Sequence, residues 1–368
     1  MVMTSRERML TALHNGRPDR LPCQVHGWMD YYLRKHVGTM DWMEANDCFG
    51  FDHAIYVSPE YVFADRDLAN WRRTVREIGM GEDGCFHWEE QIATPDGELR
   101  VHRARNEFTQ WDIKPLIRNW DDFSVWAKWR PIPVRADFTH MLAVKDRLGD
   151  KGILRVHPFS AGQGSPWQSL CMLMGMEESI FAANDEPDMV HGALRAILEQ
   201  TLKVAELWQG IPGDMIETGG GAGSNTVISP AMFREFCLPY DKRQNDAFHA
   251  CGLKVVCHLC GGLMKMLEMV VESGADGLET MTPSSMGGDC RLAEASRRVG
   301  GSLFFIGGFD QSMGFEQGTP DIARKLVRQC FEATKDHAGY IIAPSDHFFF
   351  GDPENLKAFC DEVKECRY

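Results

Sequence analysis

The chain has 368 residues, 44% of them hydrophobic and 25% charged, a composition that can build a buried core and excludes a disordered chain. Its 53 acidic and 39 basic side chains give a formal net charge of -14, which disfavours binding to nucleic acid or anionic membranes. The start, MVMTSRERML, does not resemble a signal peptide, and no stretch approaches the ~18 consecutive apolar residues of a membrane span. We therefore expect a cytoplasmic protein whose twelve cysteines are reduced.

The predicted elements begin with a helix over residues 4–15, N-capped by Thr4 or Ser5 and ended by Gly16 and Pro18. Short apolar runs then alternate with helical patterns. The predicted strands are the runs 20–26, 51–58, 153–160, 214–219, 254–260, 275–281, 302–308 and 340–346. The clearest later helices are predicted over 230–250, 263–273, 320–337 and 353–366.

This alternation predicts a parallel sheet with helices outside, and about eight repeats predict closure into an α/β fold of the (β/α)8 or TIM barrel type with an N-terminal helical cap. An open, doubly wound sheet is the alternative. No G-x-G-x-x-G motif follows the first run, so the dinucleotide site that would favour the open sheet is missing. The length suits one barrel with insertions, and we expect a single domain over residues 1–368.

One region interrupts the alternation. Residues 85–105 form two alternating runs joined by Pro95-Asp96-Gly97, which predicts a β-hairpin inside an insertion over about residues 60–135. We expect this insertion to lie over the barrel mouth. Its tryptophans could line a pocket for a planar substrate or pack the insertion onto the barrel; they are Trp71, Trp88, Trp111, Trp120, Trp126 and Trp129.

Polar residues follow every predicted strand, at the end where barrel enzymes build their active sites. In chain order they are His26, Ser58 and Glu60, His157, Glu217, His258 and Cys260, Glu279, Asp310, and Asp346 with His347. Because these positions share one end of the predicted barrel, we expect the candidate site among them.

The most specific motif is His258-Leu259-Cys260-Gly261-Gly262. Alternate side chains of a strand face the same way, so His258 and Cys260 would point together into the mouth. Imidazole and thiolate on one face form half of a zinc site, although an H-x-C pair alone also suits a packed histidine beside a buried thiol. The acids and histidines after neighbouring strands favour the metal.

A catalytic zinc usually has three protein ligands and one open position. Candidates for the third ligand are Asp346 or His347 after the eighth run and Glu279 after the sixth. Glu217 is a further ligand or a base, and each acid could instead form an ordinary salt bridge. The remaining cysteines of this region are predicted to be structural, with Cys257 in the core and Cys251, Cys330, Cys360 and Cys366 on helices.

Segments along nearly the whole chain resemble the uroporphyrinogen decarboxylase-like superfamily, and more closely its zinc-dependent, corrinoid-linked methyltransferase branch. The segments that carry the resemblance are Thr4-Ser5-Arg6-Glu7-Arg8, Arg17-Pro18-Asp19-Arg20-Leu21-Pro22, Ser229-Pro230, Phe233, Phe236, Leu238-Pro239-Tyr240, His258-Leu259-Cys260-Gly261, Gly307-Gly308-Phe309-Asp310, Gly318-Thr319-Pro320 and Pro353-Glu354-Asn355-Leu356. The resemblance implies a TIM barrel, with His258 and Cys260 as the zinc half-site.

The sequence departs from both branches of that superfamily. Uroporphyrinogen decarboxylases carry an arginine-rich segment after the first strand, where this chain has Gln24-Val25-His26-Gly27-Trp28-Met29-Asp30, so binding of the tetra-anionic porphyrinogen is disfavoured. The similar methyltransferases often have a cysteine ligand after strand eight, where this chain has Asp346 beside His347. A nitrogen or oxygen ligand makes zinc a stronger Lewis acid, which favours activating a methylated oxygen or nitrogen.

These features lead to the hypothesis of a zinc methyltransferase that moves a methyl group between a small methylated substrate and the corrinoid of a separate carrier protein. Demethylation of a methoxylated compound, aromatic or not, is the preferred version, and methylation of a thiol by a methylcorrinoid is the alternative. Glu217 or His157 could donate a proton to the departing atom, while His26, Trp28 and Tyr56 are candidate substrate-binding residues.

Two further hypotheses stay open: a metal-independent decarboxylase of a substrate other than uroporphyrinogen, and a non-catalytic binding homologue. The chain lacks the D-x-H-x-x-G signature of a corrinoid module, so a carrier protein would have to supply that cofactor. The oligomeric state is not determined by the sequence, and a homodimer is compatible with it.

Overall fold

Seven parallel strands form the principal sheet of the computed structural model, which describes residues 2–161, 163–336 and 339–368. Their order is β1-β8-β9-β10-β11-β12-β13, so each barrel strand lies beside the next one in the sequence. The strands are β1 (His53–Tyr56), β2 (Glu60–Val62), β3 (Arg72–Met80), β4 (Phe86–Thr94), β5 (Gly97–Arg105), β6 (Gln110–Lys114), β7 (Arg135–Asp137), β8 (Gly152–Val156), β9 (Met215–Gly219), β10 (Lys254–His258), β11 (Gly277–Thr280), β12 (Phe304–Phe309) and β13 (Tyr340–Pro344).

The barrel is closed between β13 and β1 by the short segment Pro22–Gln24. Cys23 forms a parallel bridge with Ile342, supported by hydrogen bonds of 3.1 Å from Gln24 N to Ile342 O and 2.9 Å from Ile342 N to Pro22 O. On the other side, the Asp52 N–H donates to Cys23 O over 2.9 Å. The predicted TIM barrel is therefore confirmed, with this segment as its eighth strand position.

The predicted first strand, residues 20–26, is reduced to this single bridge. Pro22 has no N–H and cannot donate to a neighbouring strand, so a longer ladder cannot form here. The other seven predicted strands are present, mostly shorter than predicted. The predicted strands extend into the following loops because the polar residues of those loops continue the alternation of polar and apolar residues.

The helices cover the outside of the barrel, as the alternating pattern predicts. They are α1 (Ser5–Leu13), α2 (Asp30–Tyr32), α3 (Trp42–Phe49), α4 (Asp65–Ala69), α5 (Trp120–Trp129), α6 (Thr139–Leu148), α7 (Pro166–Met174), α8 (Met176–Asp185), α9 (Pro187–Ala205), α10 (Pro230–Met232), α11 (Leu238–Ala250), α12 (Leu267–Glu272), α13 (Leu292–Val299), α14 (Pro320–Thr334) and α15 (Pro353–Glu365). Within the described ranges, none of them has the length and apolarity needed to cross a bilayer.

Three predicted helices differ from the structure. The helix predicted over 263–273 is the shorter α12, which begins at Leu267 and ends at Glu272. The predicted helix 230–250 is divided into α10 and α11 by a π-helical turn at Phe233–Cys237, just before Pro239, which cannot donate a helical hydrogen bond. The helix predicted to end at His337 ends at Thr334, and His337 itself lies outside the described residues.

Helix α1 is the predicted N-terminal cap and closes the lower end of the barrel. Thr4 and Glu7 form a capping box that begins the helix. Met9 and Leu13 then pack in one cluster with inward side chains of the barrel, including Ile153. This apolar plug leaves the opposite end, where the strands finish, for polar residues.

The predicted hairpin is also present, as β4 and β5 joined through Thr94 and Gly97. It is the centre of a four-stranded antiparallel sheet in the order β3-β4-β5-β6. The short pair β2 and β7 lies where the chain leaves the barrel and returns to it. The two outer strands of this sheet were not predicted.

The tip between β5 and β6 reaches the loop that follows β13. The Phe108 ring lies 5.3 Å from the Phe349 ring, 5.6 Å from the Phe350 ring and 4.7 Å from the Tyr31 ring, measured between centroids. The tip therefore lies at the barrel mouth, as expected. The tryptophans of the insertion do not line the pocket there, and Trp126, Trp71 and Trp120 pack into or against the main hydrophobic core.

One buried carboxylate ties the cap to the closing segment. Asp52 accepts hydrogen bonds from Ser5 Oγ at 2.6 Å, Arg8 Nη1 at 2.9 Å, Arg20 Nη2 at 3.1 Å and the Cys23 N–H at 3.0 Å. Its side chain is fully buried and that of Arg8 is 5% exposed. Asp52 thus holds α1, the closing segment and β1 together.

We predict that Asp52→Ala lowers the free energy of unfolding by about 2–4 kcal/mol, because the buried Arg8 keeps only Asp19 as a partner and the Cys23 N–H loses its acceptor. Urea unfolding followed by circular dichroism measures this change. The control is Asp246→Asn on the exposed side of α11, for which a change within about 0.5 kcal/mol is expected. Equal stability of the two variants would contradict this role of Asp52.

Candidate active site

Six neighbouring strand positions each direct one polar side chain into the barrel mouth. These side chains are His26 after the closing segment, Tyr56 of β1, Arg155 of β8, Glu217 of β9, His258 of β10 and Glu279 of β11. Alternation explains the arrangement, because the residues two positions earlier in the strands, such as Ile153 and Met215, lie in the apolar barrel interior. The polar ring thus forms the layer above an apolar floor.

Arg155 bridges the two carboxylates of this ring. Its Nη2 lies 2.7 Å from Glu217 Oε2 and 2.8 Å from both oxygens of Glu279, and the residue is 0% exposed. The guanidinium also lies over the Tyr56 ring, 4.5 Å from its centroid. Burial alone would lower the pKa of Arg155, but the charges of Glu279, Tyr56 and Glu217 raise it, so the guanidinium stays charged.

His26 and His258 approach the carboxylates of Glu217 and Glu279. His258 Nδ1 lies 3.0 Å from Glu279 Oε1 and 3.6 Å from Glu217 Oε1, while His26 Nδ1 lies 3.6 Å from Glu279 Oε1. One donor atom from each residue lies within 4.8 Å of all the others. This is the group in the described residues that could hold a metal ion.

The donor set and spacing fit zinc. Tetrahedral zinc with bonds of about 2.1 Å holds neighbouring ligand atoms roughly 3.4 Å apart. Three pairs in this group are 3.0–3.6 Å apart, and all pairs are within 4.8 Å. Two imidazoles and two carboxylates are also donors that zinc accepts. Beside His26, His258 and Glu279 lies a small cavity of about 10 Å³ that Asp346 also lines, which is room for about one water molecule.

The ionisation of the group follows from its pairing. Burial alone would raise the pKa of Glu279, but the charges of Arg155 and His26 and a hydrogen bond from His258 hold it well below its usual range. Burial would lower the pKa of His258, but hydrogen bonds with Cys260 and Glu279 raise it well above the ordinary value. A metal ion would replace the His258 proton, because a ligating imidazole must be neutral.

Backbone strain marks the end of β11. Thr280 and Met281, immediately after Glu279, have positive φ values of 79° and 46°. Such a conformation costs about 1–3 kcal/mol per residue and is rare for a β-branched side chain. The conformation of Thr280 is held by a 2.9 Å hydrogen bond from its Oγ1 to Leu259 O. It also requires a glycine at position 307 of the neighbouring strand, because a Cβ there would lie 2.2 Å from Thr280 O. The strain is therefore located beside both Glu279 and His258.

The predicted half-site partner Cys260 lies beyond the end of β10, beside His258 but outside the four-residue group. A Cβ on Gly221 would lie 2.8 Å from the Cys260 sulfur, so the thiol rests against that glycine. Asp346 lines the same pocket, and its carboxylate accepts the His347 N–H at 2.7 Å.

The other predicted site residues have different surroundings. The His347 ring lies 5.2 Å from the His26 ring, with Nδ1 3.2 Å from Gly27 O. The Tyr56 hydroxyl donates to Glu217, and its ring stacks on His157 with centroids 4.3 Å apart. Desolvation lowers the pKa of His157.

Trp28 does not line the pocket. It is 4% exposed, its Nε1 donates to Asn46 Oδ1 at 2.9 Å, and its ring stacks with Tyr32 and Phe49. Its burial and contacts describe a core residue rather than a substrate contact. Asp310 serves a helical turn instead, accepting from the Met313 N–H at 2.8 Å.

Two residues of the candidate site were not predicted from the sequence, Arg155 and Gln163. The amide Nε2 of Gln163 lies 3.3 Å from His258 Nε2. A signal for Arg155 existed, because it is the one charged residue in the apolar run Ile153-Leu154-Arg155-Val156 and is two positions before His157. An arginine that faces the inside of a barrel needs buried acids as partners.

The fold and this ring define a TIM-barrel protein with a charge-paired centre at the carboxyl ends of its strands. The chain belongs to the uroporphyrinogen decarboxylase (URO-D) family, whose pattern matches residues 113–366. The superfamily resemblance found in the sequence is thereby confirmed.

Similar proteins carry two different names. The chain is 24% identical over 194 residues to a methylated-thiol–coenzyme M methyltransferase of Methanosarcina mazei, covering 52% of this chain and 49% of that protein. It is 31% identical over 162 residues to a uroporphyrinogen decarboxylase of Neisseria gonorrhoeae, covering 41% and 40% of the two chains. The matches thus span about half the length of these relatives or less.

A solved structure, a methyltransferase from Methanosarcina mazei, has the same fold. It superposes with a TM-score of 0.63 at 15% identity and covers 99% of both chains. At this identity the likeness supports the barrel over its full length, including the insertion, and nothing about the reaction.

We predict that Arg155→Met lowers the free energy of unfolding by about 3–5 kcal/mol, because it leaves Glu217 and Glu279 buried without their shared guanidinium. Urea unfolding measures the loss. The matched variant adds Glu217→Gln and Glu279→Gln to Arg155→Met, and it should regain most of the stability because the whole charged cluster becomes neutral. If the triple variant were no more stable than Arg155→Met, the loss would not arise from unpaired charge.

Proposed function

We propose that this protein is a zinc-dependent methyltransferase that moves a methyl group between a small methylated substrate and the corrinoid of a separate carrier protein. The observation that carries the proposal is the group formed by His26, Glu217, His258 and Glu279 at the barrel mouth. The methyltransferase relative and its shared family support the class of reaction.

His258 and Glu279 would hold the zinc, since both the sequence pattern and the geometry select them. The geometry adds His26 and Glu217, whereas the sequence pattern adds Cys260 and either Asp346 or His347. Bound there, zinc would supply a Lewis acid to stabilise charge on the atom that loses the methyl group.

The surrounding side chains suit a polar leaving atom. Tyr56 donates a hydrogen bond to Glu217 and orients its carboxylate, and burial raises the pKa of Tyr56, so it stays protonated. His157, which stacks on Tyr56, is the candidate to hand a proton to the departing oxygen or nitrogen. Glu217 could do so only in its protonated form, which the hydrogen bonds from Arg155 and Tyr56 oppose. We therefore favour a methoxylated compound as the substrate of an O-demethylase component.

Two alternatives rest on specific observations. The relative named for methylated thiols and coenzyme M, together with the thiol of Cys260 beside His258, supports transfer from a methylcorrinoid to a thiol. The relatives named as decarboxylases support a metal-independent decarboxylase of another substrate, in which Glu217 would transfer a proton. Metal content separates the second alternative from both methyl-transfer reactions.

We predict about one zinc per chain in protein purified without chelators, measured by elemental analysis. His258→Ala and Glu279→Ala should each lose most of it, because each removes one of at most four protein ligands and thereby weakens zinc binding. Loss of zinc from His26→Ala would support the geometric set of His26, Glu217, His258 and Glu279. Loss of zinc from Cys260→Ala would support the set predicted from the sequence. Cys257→Ala is the control, since this neighbouring thiol is buried outside the ring. Full zinc retention in His258→Ala would refute the site.

We predict that the zinc-loaded protein transfers a methyl group from a methoxyaromatic or N-methylated compound to cob(I)alamin, which stands in for the carrier. The formation of methylcobalamin is followed by its absorbance, and removal of zinc should abolish it. Glu217→Gln should slow the reaction about 10²–10⁴-fold if this carboxyl donates the proton. Methylation of an added thiol by methylcobalamin, with no reaction of the methylated compounds, would show instead that the alternative direction is correct.

A further inference from the structure

The outer strand β3 of the insertion sheet has a free edge. It pairs with β4 on one side only, and none of the structurally described residues makes a backbone hydrogen bond to its other side. Its apolar side chains Val75, Ile78 and Met80 are 53%, 51% and 69% exposed. A nine-residue strand with these properties offers a row of unpaired N–H and C=O groups to another strand.

The charges on β3 restrict what can pair with it. Arg72, Arg73 and Arg76 discourage association with a random strand, because natural sheets use such residues to block edge pairing. A partner strand must therefore place acidic or neutral residues opposite these arginines. The strand itself contains one acid, Glu77, which forms no ion pair within the described ranges.

We propose that a second copy of this chain pairs with β3, antiparallel and about a two-fold axis at Val75. This register places the two Val75 side chains opposite each other, and Arg73 opposite Glu77 of the partner subunit, twice. Arg73, Val75 and Glu77 share one face of the strand because they are two residues apart. Opposite charges directly across from each other on paired strands stabilise a sheet.

Other symmetric registers are less favourable. A centre at Thr74 places Arg72 opposite Arg76 of the partner subunit, and centres at Arg73, Arg76 or Glu77 place a charge opposite itself. A centre at Ile78 avoids like charges, but it forms no ion pair and coincides with the irregularity between Glu77 and Gly79. Parallel pairing in register would again set each arginine against its copy.

Arg73 can pair with Glu77 of the partner subunit through Nη1, because only its Nε and Nη2 donate to Glu90. Arg73 remains 57% exposed while it bonds Glu90, with Nη2 2.6 Å from Glu90 Oε1. Arg76 contacts Glu89 at 3.4 Å from the opposite face of the strand. The pairing would join two four-stranded sheets into one of eight strands and cover the exposed apolar side chains of both copies.

The test is a disulfide trap in the full-length chain. In the proposed register the two Val75 Cβ atoms are about 4.5–5.5 Å apart, within reach of a disulfide after small adjustment. Val75→Cys should therefore form a covalent dimer under mild oxidation, seen by non-reducing electrophoresis. Ile78→Cys is the matched control, since its two copies would be about 20 Å apart and should not cross-link. Wild-type protein measures the background from exposed Cys48.

The charge pattern gives an independent check. In the Val75→Cys background, Glu77→Arg should reduce trapping several-fold because it faces Arg73 of the partner subunit, and adding Arg73→Glu should restore it. Sedimentation equilibrium of the unmodified chain should show a dimer at tens of micromolar protein. Equal trapping of Val75→Cys and Ile78→Cys, or trapping of neither, would overturn the proposed pairing.

Discussion

The contact of Arg155 with both Glu217 and Glu279 is the constraint on which the barrel mouth depends. A carboxylate in the interior of a protein is costly unless it is paired, and here two carboxylates share one guanidinium that is itself 0% exposed. The arginine faces inward only because it alternates with Leu154 and Val156, which face the helices. Arg155 of β8 therefore allows the carboxylates of Glu217 on β9 and Glu279 on β11 to be buried.

Each of the two carboxylates has an oxygen that faces the histidines, which explains how His26, Glu217, His258 and Glu279 can suit a cation. Glu217 directs Oε2 to Arg155 and Tyr56, which leaves Oε1 facing His258 at 3.6 Å. Glu279 contacts Arg155 with both oxygens and His258 with Oε1 at 3.0 Å. Arg155 thus compensates one of the two negative charges and fixes the carboxylate planes, while the histidines form the opposite side of a small cage. This arrangement orients ligands in the manner expected of outer-shell partners in metal sites.

The sequence was sufficient for the barrel and for part of the site, and the reasons differ between residues. Strand alternation with helices is a long-range pattern that survives local error, so seven strands were found even though their ends were misplaced. The strand-end rule identified Glu217, His258 and Glu279 as site residues, because strand ends of a barrel converge whatever their sequences. The same rule could not decide whether Cys260 lies on the strand beside His258, because the H-x-C spacing does not show where β10 ends. The strand ends at His258.

The residues that the sequence did not reveal depend on tertiary contacts. Arg155 lies inside an apolar run, and its function exists only because distant acids face it. Strands β3 and β6 were missed because their charged residues lack the apolar alternation of a half-buried strand, and both are edge strands with mostly exposed side chains. Trp28 lay at a favourable position in the sequence, but Asn46 on α3 offers its indole a partner inside the core.

The insertion connects to the site through aromatic contacts that no local pattern shows. Phe108 touches Tyr31, which follows the segment that carries His26, and it touches Phe349 and Phe350, which follow Asp346 and His347. Those two loops are also joined to each other, since His347 contacts Gly27 O at 3.2 Å and Phe348 contacts Trp28. Because the loops after the first and last barrel positions meet where the barrel closes, their separation determines the width of the pocket beside His26 and Asp346. The insertion tip packs on both loops at that point and therefore stabilises the closed arrangement, although it contributes no residue to the candidate metal-binding group.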